Sequence, residues 1–199
     1  MHVLSLLIVS STVFAMGDMP EIGRITDKAT GNPIANAFVV AKRKGMISML
    51  VDSQTICYHR EVTTTDKNGY FHLRAEDTNP KGFSLSRRVI SYIIYKKGYE
   101  TSYPLTKDKI SMVLFTGGKR DRLAYLSRIG DAIRCYDQDD ISTLPVYEAL
   151  YNEAATIAED DEDRFIVITL LRYIEAIKLG ERVSWDNWEK RKKKLQCIS

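Results

Sequence analysis

Histidine and cysteine are scarce in this chain, three of each in 199 residues, and that scarcity removes most of the chemistry a metalloenzyme or thiol enzyme needs. A zinc hydrolase of the His-x-x-Glu kind needs that pair and a second, distant histidine. Here the third residue after His59 is Val62 and the third after His72 is Ala75, while His2 falls in the N-terminal apolar run. Cys57, Cys135 and Cys197 are too widely spaced for a zinc ribbon or a Cys-x-x-Cys redox motif. No glycine-rich phosphate loop and no Gly-x-Ser-x-Gly elbow occur. Asp66-Lys-Asn-Gly69 lacks the spaced acids and closing glutamate of a calcium loop. These absences argue for a protein with no catalytic residues, no metal and no cofactor.

A one-sided charge is missing as well. Lys and Arg number 29 against 26 Asp and Glu. Up to Gly118 there are 15 basic and 10 acidic residues, and beyond it 14 and 16, so neither half has the basic excess of a nucleic-acid binder. The one basic run, Lys190 to Lys194, reads as a solvated helix end. Long apolar runs are also few. Residues 1–15 hold about 13 apolar or uncharged positions ending in Val13-Phe14-Ala15, too short to span a bilayer and suited to a secretory signal cleaved after Ala15. No later stretch qualifies as a transmembrane segment, so the mature chain is expected to be periplasmic or secreted.

What is present divides at Gly117-Gly118. Residues 22 to 116 alternate like strands. Ile22 to Thr26 leads into the turn chemistry of Asp27 to Pro33, and Ala37 to Ala41 resumes as a strand that ends at Lys42-Arg-Lys-Gly45. From Ile47 to Thr65 the chain is apolar and then alternating, with Val51, Ile56 and Tyr58 as candidate inward residues. Asp66 to Gly69 forms a hairpin turn into Tyr70 to Arg74. Residues 76–86 read as a loop. Val89 to Tyr95 is the most apolar strand and is placed at the centre of a sheet, and Ile110 to Phe115 is the last strand.

After Gly118 the apolar period becomes helical. Leu123, Leu126, Ile129 and Ile133 stripe a first helix, and Pro145 opens a second with Tyr147, Leu150, Tyr151, Ala154 and Ile157 on its buried face. The acids 160–163 begin a third that Gly180 ends, and Ser184 caps a short fourth carrying Trp185 and Trp188. Those two tryptophans, three apart, are either core or an exposed aromatic surface for a sugar face. The whole is an α+β chain: a signal peptide at 1–15, an antiparallel β-sandwich at 16–118 and a small helical bundle at 119–199.

Gly23-Arg-Ile-Thr-Asp27 with Thr30-Gly31-Asn-Pro33-Ile34 and Ala37, then Thr64-Thr65-Asp66-Lys-Asn-Gly69-Tyr-Phe71, then Lys97-Gly98-Tyr99, resembles the carboxypeptidase regulatory-like domain. The resemblance covers residues 22 to 116 and implies a transthyretin-like sandwich without catalytic activity. It also implies an exported setting, in which two of the three cysteines tend to pair. A Cys57–Cys135 bridge, stapling the two halves, is preferred on that logic, with a Cys135–Cys197 bridge and three buried thiols left open. The resulting expectation is a non-catalytic exported module that binds another protein or a cell-wall component. The alternatives are a carbohydrate-binding envelope protein using Trp185 and Trp188, and a thiol hydrolase with Cys57 beside His59 and Asp66.

Overall fold

The computed structural model describes residues 21–48, 53–74, 85–106, 109–135 and 141–180. Among the described residues seven strands precede three α-helices: β1 Glu21–Asp27, β2 Phe38–Ser48, β3 Ser53–Thr64, β4 Tyr70–Leu73, β5 Leu85–Tyr95, β6 Tyr99–Thr106, β7 Lys109–Leu114, α1 Lys119–Ile133, α2 Leu144–Ile157 and α3 Asp161–Leu179. The strands form two sheets, ordered β4-β1-β7-β6 and β3-β2-β5. All pairings are antiparallel except β1 with β7, where Ile25 lies opposite Ile110. The chain is thus an α+β fold, strands first and helices last.

Alternation along β2 explains the layering. Val39 and Ala41 point to one side, where they join Ile25, Phe71, Leu73, Ile94, Ile110 and Met112 in a core shared by the two sheets. Val40 points to the other side, where with Tyr95 it meets Leu123, Leu126, Ile133, Tyr147, Leu150, Leu170 and Ile174 of the helices. The three-stranded sheet is therefore the middle layer of three, covered by apolar side chains on both faces.

Several expectations are corrected. β5 borders β2 alone among the described strands and is not central. Its long apolar run reflects cover on both faces, which a sequence cannot distinguish from a central position. β2 continues through Lys42, Arg43 and Lys44 to Ser48 where the sequence reading ended it at the charges. Those cations are tolerated because Lys42 Nζ donates to the Ala132 carbonyl at 2.6 Å and to that of Arg134, and Arg43 Nη2 donates to the Arg74 carbonyl at 2.9 Å.

The Asp66 to Gly69 turn forms, with Gly69 N–H donating to Asp66 C=O at 3.0 Å. Gly69 has φ of 78° and a Cβ there would stand 2.5 Å from the Ile25 carbonyl oxygen, so only glycine fits. It is not a hairpin turn, however, because β3 and β4 enter different sheets. His59 and His72 accordingly belong to separate sheets, and no group of three metal-ligating residues occurs among the described residues. β6, which the sequence reading left without an element, pairs with β7. Residues 1–15, expected as a secretory signal, together with Val51, Trp185, Trp188 and Cys197, lie outside the described residues.

The three described helices follow their sequence signals closely, and the short fourth expected from Ser184 lies outside the described residues. Pro145 sits in the first turn of α2, where a missing N–H is harmless. Asp160 caps α3 by accepting from Asp163 N–H at 2.8 Å, and Gly180 closes it in the left-handed conformation.

Candidate functional site

Two junctions hold the helices to the middle sheet, and they leave between α1 and α3 the concavity that is the candidate site. The first junction is at the C-terminal end of α1. The carbonyls of a last helical turn lack intrahelical partners and concentrate negative charge. Here Lys42 reaches those of Ala132 and Arg134, and Arg60 Nη1 donates to that of Ile133 at 3.3 Å. Burial, followed by the neighbouring charges of Lys44 and Arg60, pushes the Lys42 ammonium down to about 8.

Beside them Cys57 and Cys135 form a disulfide, with Cα atoms 5.5 Å apart. Its existence depends on a β-bulge. Lys42 and Arg60 are opposed across the β2–β3 ladder and both face the helices, and strict alternation would then turn Cys57 toward the sandwich interior. The ladder skips Tyr58, pairing Arg43 with His59 and Lys44 with Cys57, so Cys57 returns to the helical side. Half-buried Ile56 and Tyr58, expected inward, flank this irregularity. Bonded in this way, Cys57 has no thiolate to offer as a nucleophile.

The second junction is a buried ion pair. Arg122 of α1 donates through Nε and Nη2 to the two carboxylate oxygens of Glu153 of α2, both at 3.0 Å. Arg122 Nη1 also reaches the Tyr99 carbonyl at 2.6 Å, and its guanidinium lies 5.1 and 5.0 Å from the ring centres of Phe115 and Tyr125. Glu153 accepts in addition from Tyr95 O–H at 2.8 Å and from Gly98 N–H at 3.3 Å. Burial and the adjoining carboxylate push the Tyr95 phenol well above its ordinary range. With every strong donor and acceptor matched, this cluster ties β5, β6, α1 and α2 together and presents no group to a reactant.

Between α1 and α3 the packing opens. The helices run side by side in the same direction, with Arg120 bridging to Asp160 at 2.9 Å at one end and Tyr173 O–H donating to Asp131 at 2.8 Å toward the other. At Gly130 they approach so closely that a Cβ would stand 2.9 Å from Leu170 Cδ2. Outside this contact lies a cleft of about 330 Å³ lined by Ser127, Asp131 and Arg134 of α1 and its cap, and by Phe165, Ile166, Thr169, Arg172 and Tyr173 of α3.

The cleft has a polar end and an apolar end. Arg134 stands 5.2 Å over the Tyr173 ring, and Arg172 is almost wholly buried. Burial first, and then the Asp131 hydrogen bond, pushes the Tyr173 phenol up to about 12, so at neutral pH it donates to Asp131. Two turns earlier on α3, Phe165 is 56% exposed and Ile168 on the same helix is 36% exposed. The chain matches no family model, no curated protein and no solved structure. No cleft residue was singled out as a site residue in the sequence. The available signal was the i, i+4, i+7 spacing of Ser127, Asp131 and Arg134, a polar stripe on a helix whose other face is core.

Proposed function

We propose that this chain is a non-catalytic exported module, periplasmic or secreted, built on a carboxypeptidase regulatory-like sandwich, and that it binds a partner protein or a cell-wall component through its helical layer. The observation that carries the reading is the cleft between α1 and α3, a concavity with cations at one end and exposed apolar surface at the other. The ion-pair cluster and the disulfide support it from the other side, because each is consumed in holding layers together. No helix among the described residues is long and apolar enough to cross a membrane, in keeping with an exported module.

Capture from envelope extracts tests the proposal. Wild-type protein is expected to retain a defined protein or wall fragment that Ser127→Trp, which fills the cleft from a half-buried position, does not retain while keeping the wild-type circular dichroism. Equal retention by both proteins, or turnover of a substrate by the wild type, would overturn it.

A further inference from the structure

The outer face of the four-stranded sheet takes no part in the cleft or in either junction. Its inner face gives Ile25, Phe71, Leu73, Ile110 and Met112 to the core between the sheets, so the side chains that alternate with them point out of the molecule. No described element lies over them. Outward positions on such a sheet are ordinarily polar and solvated, yet Ile22 of β1 is 56% exposed and Tyr70 of β4 is 40% exposed. Exposed Arg24 and His72 complete the group, since Ile22 stands opposite His72 and Arg24 opposite Tyr70 across the β1–β4 ladder, where facing side chains lie about 5 Å apart.

Arg24 is held in position. Its Nε donates to the Asn68 carbonyl at 3.2 Å and its guanidinium lies 5.2 Å from the centre of the Tyr70 ring. The two Nη groups, which fork onto a carboxylate, have no acceptor among the described residues. The described acids about β4 are engaged by backbone: Asp66 Oδ1 accepts from the N–H groups of Asn68 and Tyr70 at 2.9 and 2.8 Å, and the two oxygens of Glu61 accept from Arg74 N–H at 2.9 and 3.1 Å. Glu100 stands on β6, at the opposite edge of the sheet. None of the three bridges to the side chain of Arg24 or Arg74. Arg74, exposed one residue past β4, continues the outward row of Tyr70 and His72, about 13 Å from Tyr70 at the rise of a strand.

A ligand matched to this face offers an apolar surface to Tyr70 and Ile22 beside a carboxylate for Arg24, and a further anion along its length for Arg74. A chain of sugar rings that carry carboxylates has this form. The C–H face of one ring covers tyrosine, its carboxylate sits beside that face, and the charge recurs along an extended chain that an open sheet surface can hold without enclosing an end.

We propose that the outer face of β1 and β4 binds an acidic polysaccharide of the polyuronate class, with one sugar ring on Tyr70 and Ile22, its carboxylate on Arg24 and a later carboxylate on Arg74. The proposal rests on the reading of the chain as an exported binding module and adds to it a second surface, separate from the cleft.

The test is calorimetric and NMR titration of the full chain with the tetramers of galacturonate, glucuronate and mannuronate, their methyl esters, and inorganic tripolyphosphate, together with sedimentation on phosphatidylglycerol vesicles. At least one tetra-uronate is expected to bind at least tenfold more tightly than its ester and than tripolyphosphate, with shifts confined to β1 and β4. Arg24→Gln and Tyr70→Ala, both at exposed positions, should each weaken it at least tenfold at unchanged circular dichroism, while Ser127→Trp in the cleft leaves it unaltered. No binding of any uronate at millimolar concentration, equal binding of acid and ester, equal binding of tripolyphosphate, or vesicle binding that Arg24→Gln abolishes would overturn the proposal. Cleft-dependent capture of a partner from envelope extracts would in that event still stand, so failure of this face is distinguishable from failure of the module reading.

Discussion

The side chain on which most of the helical layer turns is Glu153, a single acid on the buried face of α2. Replacing it by Gln removes the charge that Arg122 needs and leaves a guanidinium buried among Phe115, Tyr125 and Tyr99. A cost of about 3–5 kcal/mol is expected in urea unfolding. The double change Arg122→Met with Glu153→Leu should cost less than the single change, since no lone charge then stays buried. Lys42 supplies a prediction in pH. Its folded value of about 8 lies below the ordinary 10.5, so between these values the unfolded chain holds the proton and the folded one does not. Stability should therefore rise with pH from about 8 to 10.5, and urea titrations across that window should show the rise flattened in Lys42→Met. Neither residue was legible beforehand. Glu153 sits one position from Ala154 on a stripe that the sequence showed clearly, but a lone acid on a helix is ordinarily solvated, and its partner lies 31 positions away. Lys42 looked like the end of a strand because its acceptors are carbonyls of a helix that only the tertiary fold brings near.

Among elements, the helices were legible and the sheets only partly so. α3 carries its own boundaries, Asp160 at one end and Gly180 at the other, as local effects of dipole and backbone conformation. Gly180 has φ of 62°, and Gly180→Ala should lower stability by about 1 kcal/mol in thermal or urea unfolding, because only the left-handed conformation closes that end. Strand order resisted the reading because an apolar run reports cover, not neighbours. The Asp66 to Gly69 turn announced itself in sequence, but whether it joins strands of one sheet or two depends on cores that form at long range. The Cys57–Cys135 bond belongs to this scale too, since it joins β3 to the end of α1 across a sequence separation of 78. In the loop-entropy model such a closure contributes about 4–5 kcal/mol. The double replacement of both cysteines by Ala should lose most of that by urea unfolding while Lys42 and Arg60 keep α1 docked and its circular dichroism unchanged.

For the whole molecule, the middle sheet is the decisive feature. Its two faces belong to two cores, so neither the sandwich nor the helical layer can lose its packing without exposing the apolar side chains of β2 and β5. Thermal unfolding followed by far-ultraviolet circular dichroism and by tyrosine fluorescence should give one coincident transition; two separated transitions would show that the layers are independent. The pairing of β1 with β7 sets a schedule for the chain as it is made. β1 emerges first, yet its partner Ile110 follows only after almost all of the β-rich half has been synthesised, and the entropy of closing that loop must be met before any contact across it forms. A nascent chain halted short of β7 therefore leaves β1 paired with β4 along one edge and open along the other, and that edge stays within reach of proteases until β7 arrives to close it.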